Sequence, residues 1–174
     1  MPIIGRPAAD EHSPYFGTYI SQAPGDDALP LLTRQIDETV ALLNGVPEDR
    51  WTYRYAPGKW SLAEVVGHLS DTERIFAYRA LCFARNDPTP LPGFQENDYA
   101  PASGHHARSL PDLTAELHAV RQASLALFRG LTDEAVGRRG VANGVEISVR
   151  AIAWILAGHE RHHLGVVRER YLGG

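Results

Sequence analysis

The 174-residue sequence predicts an all-α protein, a four-helix bundle running up-down-down-up. Three observations lead there. Four segments repeat apolar residues at three- and four-residue spacing rather than in strand-like alternation. Most of the glycines and most of the prolines fall between those segments, where they end helices instead of interrupting them. One connection is long enough to run the length of a bundle, and four amphipathic helices cover one another's apolar faces most simply in that architecture.

The first helix, Ala28 to Leu43, carries Leu32, Ile36, Val40 and Leu43, and Asn44-Gly45 with Pro47 supplies its left-handed cap and stop. The second begins at Ser61-Leu62-Ala63-Glu64, a capping box in which serine hydroxyl and glutamate satisfy each other's orphan backbone N–H groups. Its stripe is Leu62, Val65, Leu69, Phe76 and Phe83, and Asn86-Asp87-Pro88-Thr89-Pro90 ends it. The third starts near Ser109 or Pro111 and shows Leu113, Leu117, Val120, Leu127 and Leu131, with Gly130 near its end. The fourth starts after Ser148 and runs to about Tyr171, with Val149, Ile152, Leu156, Val166 and Val167 on its apolar side.

Asn86 to Arg108, rich in Pro, Gly and small residues, predicts a crossover that leaves helices two and three parallel. Between helices three and four, Ala142-Asn143-Gly144-Val145 suits a tight turn joining two short extended pieces. With 44% hydrophobic and 22% charged residues, the chain suits a single domain over residues 1–174, of which 1–27 read as an irregular N-terminal segment.

Composition also excludes function classes. A formal charge of -4 with scattered Lys and Arg gives no footprint for nucleic acid or an anionic membrane. No apolar stretch approaches the roughly 20 residues that span a bilayer, and Met1 to Ile20 lacks a secretory signal's charged start and apolar run. A cytoplasmic protein is expected. The lone Cys82, between Leu81 and Phe83, cannot form an internal disulfide and reads as a buried structural thiol.

The chemistry concentrates in Gly158-His159-Glu160-Arg161-His162-His163-Leu164, which contains a literal H-E-x-x-H. Successive helical side chains are about 100° apart, so with Ile152 as zero, His159 falls at about -20° and His163 at about +20°, in the middle of the core-facing stripe. His162 and Glu160 lie at about -80° and +80°, on opposite flanks. Two stacked imidazoles on a buried face are costly unless satisfied, either by hydrogen bonds to backbone or hydroxyl groups or by a shared divalent ion. The i, i+4 spacing lets both converge on one ion. On the second helix, with Val65 as zero, His68 lies at about -60° and can look into the bundle as a third ligand. Three imidazoles with an open position are the pattern of a catalytic rather than a structural site. His12, His105, His106 and His118 fall in loops or on a helix flank. A protease is disfavoured: the eleven residues after His163 hold no third ligand of the zincin kind, and no sheet edge is available to hold a peptide.

Pro57-Gly58-Lys59-Trp60-Ser61, Glu64-Val65-Val66-Gly67-His68-Leu69 with Asp71-Thr72-Glu73-Arg74, and His159-Glu160-Arg161-His162-His163-Leu164 together resemble the DinB/YfiT-like family of metal-binding four-helix bundles, which includes bacillithiol transferases. The resemblance covers the chain from about the first helix onward. It implies a homodimer and a divalent ion, often zinc or nickel, held by His68, His159 and His163. That family more often shows Asp where Glu160 stands, which makes the H-E-x-x-H match accidental. The expected activity is metal-dependent transfer of a low-molecular-weight thiol such as bacillithiol to a small electrophile, or hydrolysis of a small molecule. A non-catalytic, stress-associated metal-binding protein is the reading from another class. Helpers expected at the site are Glu64, one turn before His68, as a partner for its free ring nitrogen, and Arg79, as an anion clamp; Glu160 is a third candidate catalytic residue, without the general-base role of a protease motif. Solvated or capping roles are the competing readings for Glu64 and Arg79, and Trp51 and Trp60 read as packing residues.

Overall fold

The computed structural model describes residues 1–173. Four long helices form the bundle: α2 (Ala28–Asn44), α3 (Leu62–Ala84), α5 (Leu110–Arg129) and α7 (Val149–Val166). Each begins at a side-chain cap. The Asp27 carboxylate accepts from Leu29 N–H, and the hydroxyls of Ser61, Ser109 and Ser148 accept from the backbone N–H of Glu64, Asp112 and Ala151. The Ser61–Glu64 capping box is reciprocal, as the sequence predicts. Past Val166 the fourth bundle helix widens into a π turn over Val167–Tyr171, so it does reach Tyr171 but changes its hydrogen-bond pitch on the way.

The core divides into two clusters along the bundle axis, and their membership fixes the direction of each helix. One cluster holds Leu29 and Leu32 of α2, Phe76 and Phe83 of α3, Leu125 and Phe128 of α5, and Ile152 to Leu156 of α7. The other holds Ile36 and Leu43, Leu62 to Leu69, Leu110 to Leu117, and then Val167 and Tyr171. α2 and α7 therefore run from the first cluster to the second while α3 and α5 run back: the up-down-down-up order, with α3 and α5 parallel.

The crossover carries short helices of its own, α4 (Glu96–Ala102) and a 3₁₀ turn His105–Ala107. It is tied to the far end of the bundle where Leu91 N–H donates to Val141 O at 2.9 Å and Asn143 N–H to Leu91 O at 3.0 Å. The partner there is a two-stranded hairpin, β1 (Arg139–Ala142) and β2 (Val145–Ser148), preceded by the short α6 (Asp133–Gly137). Its turn residues Asn143 and Gly144 have φ of 54° and 73°, which is why an Asn-Gly pair stands there.

The N-terminal segment corrects the sequence expectation. Residues 1–27 are not irregular: they hold α1 (Pro14–Ile20), which crosses α7. Ser13-Pro14 marks its start, with proline at the first helical position where its missing N–H costs nothing. Gly158 is the crossing point, since a Cβ there would overlap the Tyr19 carbonyl. The segment is pinned further by the Trp154 indole N–H, which donates to Ile4 O at 3.0 Å and Gly5 O at 2.8 Å, and by Ile4 N–H on the Asp27 carboxylate. Cys82 is a second, smaller correction, being half-buried against the core rather than enclosed. No helix among the described residues is long and apolar enough to cross a membrane.

Candidate metal centre

α3 and α7 bring His68, His159 and His163 together. One ligand nitrogen from each lies within 4.8 Å of the other two. The Nε2 atoms of His68 and His163 each sit 3.1 Å from Nε2 of His159. Apolar and aromatic neighbours hold the rings: the Trp60 ring lies 4.8 Å from the His68 ring, and the Tyr19 ring 5.4 Å from that of His159, centroid to centroid. Burial is the main reason all three resist protonation, reinforced by mutual repulsion. His68 falls to about 4 through desolvation and then the charge of His105. His163 falls to about 3 through desolvation, His68 and His162, and His159 is held well below its ordinary value by desolvation and then by His163, His68 and His162.

The residues present fit a divalent ion. In three neutral imidazoles whose Nε2 atoms converge, a hydrogen bond between any two needs one N–H and one lone pair, and His159 Nε2 cannot serve two neighbours in both roles. A cation accepting three lone pairs removes that conflict, and the imidazoles are already deprotonated as ligation requires. Three ligands leave the remaining coordination to non-protein groups. Thr72 Oγ1 lies against the His68 ring, 3.4 Å from Nδ1 and 3.5 Å from Nε2.

A cavity of about 300 Å³ opens from His159 along the bundle. α3 contributes Thr72, Phe76 and Arg79, α1 contributes Tyr15, Phe16 and Tyr19, and the crossover adds Phe94 and Glu96. Burial and the Tyr15 hydroxyl, 3.2 Å away, push the Tyr19 phenol above its usual pKa, so it remains a neutral donor. The α1 wall was invisible to helical periodicity, because a seven-residue helix has no stripe to detect. Glu96 was also missed; its Oε2 lies 3.9 Å from His68 Nε2, reached from a segment that reads as loop.

The three expected helpers fall in different places. Glu64 does not meet His68. Its carboxylate accepts from Ser61 N–H at 2.6 Å and pairs with Arg54 at 2.7 Å, so its role is capping. Glu160 is buried rather than on a flank, and faces away from the histidines. It accepts from Gln35 at 2.6 Å, Thr39 at 2.5 Å and Arg121 at 2.8 Å, while Glu73 takes the other edge of Arg121 at 2.7 and 2.8 Å. Burial acts to lower the Arg121 pKa, and the Glu160 and Glu73 carboxylates outweigh it and hold the cation above its usual value. A carboxylate committed to three donors in the core is no general base, and H-E-x-x-H here is two ligands plus a core anchor. Arg79 does reach the cavity and is not solvated, being only 5% exposed. Of the remaining histidines, His105 departs from its expected loop role: it is buried over Gly67, where any Cβ would strike its ring.

A four-helix bundle whose parallel middle pair leaves three imidazoles beside an open cavity defines a metal-binding class. The model of the DinB superfamily matches residues 31–167, and the chain belongs to that superfamily. It is 30% identical over 141 residues to a protein of Oceanobacillus iheyensis named as a candidate metal-dependent hydrolase, covering 78% of this chain and 77% of that one. Its fold matches YfiT from Bacillus subtilis with a TM-score of 0.68, over 94% of this chain and 90% of that one, at 17% identity. That structure is described as a candidate metal-dependent hydrolase with an unusual four-helix bundle topology, and at this identity the likeness carries the fold alone.

Proposed function

We propose that this chain is a divalent-metal-dependent enzyme that joins a nucleophile to a small electrophile held in the cavity beside His159. The observation that carries the reading is the convergence of His68, His159 and His163 within 4.8 Å at the end of a cavity, rather than in a sealed four-ligand cage. His68, His159 and His163 would hold a zinc or nickel ion, which would supply the Lewis acidity that makes a nucleophile of water or a thiol at neutral pH. The chain's own residues do the rest. Phe16, Phe76 and Phe94 offer apolar wall to the body of a substrate, and the Tyr19 phenol remains protonated and able to donate. α1 and the crossover form part of the wall of the cavity beside the site.

Transfer of a low-molecular-weight thiol such as bacillithiol is the first reading of the nucleophile, and hydrolysis the second. Hydrolysis is favoured by the name of the Oceanobacillus relative and by Glu96, whose carboxylate stands 3.9 Å from His68 Nε2 as an acceptor for a proton leaving water. The test is elemental analysis of the purified wild type and His163→Ala, followed by parallel assays of thiol consumption and of ester or amide cleavage. About one ion per chain, lost in the variant along with either activity, supports the reading. A chain that takes up no zinc or nickel when these are added refutes it.

A further inference from the structure

Among the described residues, Arg79 is the buried Lys, Arg, Asp or Glu side chain that takes part in no ion pair. The other deeply buried arginine, Arg121, is clamped between two carboxylates. Arg79 is only 5% exposed, yet its hydrogen-bond partner among the described residues is one backbone carbonyl, Pro92 O at 2.9 Å. Its guanidinium lies 4.9 Å from the Phe76 ring centroid and 5.9 Å from that of Phe94, between two aromatic faces. Burying an unpaired cation costs several kcal/mol, and stacking returns only a fraction of that. The side chain also lines the same cavity as His159. Arg79 is eleven residues after His68, three turns on, so it lies on the same face of α3 roughly 16 Å along the axis.

We propose that the substrate carries a carboxylate, which docks on Arg79 while its reactive bond lies at the histidine end of the cavity. The inference deepens the functional reading above and rests on it for the reactive end alone. A planar guanidinium between two rings suits a planar carboxylate, which it can bind through two parallel N–H donors. Phe16 and Phe76 lie between the two ends and require an apolar middle, so the ligand class is an aliphatic or aryl carboxylic acid with an electrophilic or hydrolysable group remote from the acid. An anion at that distance also fixes the orientation, because the reverse pose would place apolar atoms on Arg79.

The test compares 4-phenylbutyrate with 4-phenylbutanol, an acid and a neutral alcohol of the same shape, by calorimetry on the metal-loaded protein. The acid is expected to bind at least tenfold more tightly. Arg79→Gln keeps a donor for Pro92 O but removes the charge, and is expected to abolish the preference with metal content unchanged. In His163→Ala the preference is expected to survive, which separates the arginine from the metal as the seat of the carboxylate. Equal binding of the two probes by the wild type overturns the proposal, as does a preference that persists in Arg79→Gln and disappears in His163→Ala. If Arg79→Gln does not fold, the side-chain N–H resonance of Arg79 in the wild type decides: it shifts with the acid and not the alcohol, and shifts confined to histidine signals overturn the assignment. A protein that binds no metal but keeps the Arg79-dependent preference leaves this site standing and removes the proposed chemistry.

Discussion

Stripped of metal, the protein should be acid-labile through its own ligands. The ordinary imidazole pKa is 6.5, whereas His68 in the fold is lowered to about 4 and His163 to about 3, with His159 also well below the ordinary value for the same reason of burial. Between those limits the unfolded chain binds protons that the folded chain refuses, so stability falls as pH drops below 6.5 and is unaffected above it. At pH 5 His68 and His163 each cost about 2 kcal/mol, about 4 together, with His159 acting in the same direction, against a total of about 5–15 kcal/mol for a typical domain. The measurement is urea unfolding in the presence of a chelator at pH 7.5 and pH 5.0, followed by tryptophan fluorescence. The chelated protein should lose most of its stability at pH 5.0. With zinc at a thousandfold excess over its dissociation constant, about 4 kcal/mol should return. Equal midpoints at the two pH values for the metal-free protein would refute the argument that three neutral imidazoles are buried together.

Three substitutions test the packing around the site. Gly158→Ala sets a methyl group against the backbone carbonyl of Tyr19, which cannot swing aside as a side chain could, so α1 must lift from α7. A loss of about 3 kcal/mol is expected, together with faster amide exchange in Pro14–Ile20. Gly67→Ala drives the His105 ring off α3 and should loosen the 3₁₀ turn His105–Ala107, read by limited proteolysis of the crossover. Glu160→Gln removes charge from the Arg121 cluster while leaving its two bonds to Glu73, so stability should fall by about 2–3 kcal/mol. Metal content should stay at its wild-type value, and any activity should fall far less than the 10²–10⁴-fold expected of a lost general base.

Helix stripes, N-terminal caps and the histidine triad were legible in the sequence for one physical reason: each is a local pattern whose period matches the backbone; the left-handed cap expected at Asn44-Gly45 is not formed, since Gly45 has a right-handed φ of -86°. His159 and His163 at the middle of an apolar face, and His68 at the edge of another, could be aimed by angle alone. Glu160 was misplaced because an angle measures direction from one stripe, while an inner surface in a bundle is wider than a stripe. At about 80° from the centre of its stripe, a side chain on α7 still faces a neighbour, and α2 and α5 supply Gln35, Thr39 and Arg121. Glu64 carried two local signals, the capping box and its place one turn before His68, and the capping interaction prevailed because Arg54 joined it. Nothing local marks Glu96 or Tyr19 as neighbours of the triad. Their approach is set by the crossover and by α1, whose positions depend on two glycines that the sequence shows only as missing side chains.

The adjacency of His159 and Glu160 gives α7 two anchors about 100° apart on one turn. The triad on one side does not by itself fix the helix's rotation, because three imidazoles can follow a small roll by changing side-chain torsions. The cluster on the other side can. Arg121 is held from two directions by Glu73 of α3 and Glu160 of α7, and it also donates to Leu32 O of α2 at 3.2 Å, so all four bundle helices meet at one guanidinium. A roll of α7 would pull Glu160 off Arg121 and leave a buried charge short of a partner, which costs several kcal/mol. Because Glu73 follows Thr72 by one residue and Glu160 follows His159 by one, the same clamp sets the register of both helices that carry metal ligands. The histidine geometry is therefore held from behind by an ion pair that never touches the metal, which accounts for a carboxylate in the middle of H-E-x-x-H without assigning it any chemistry.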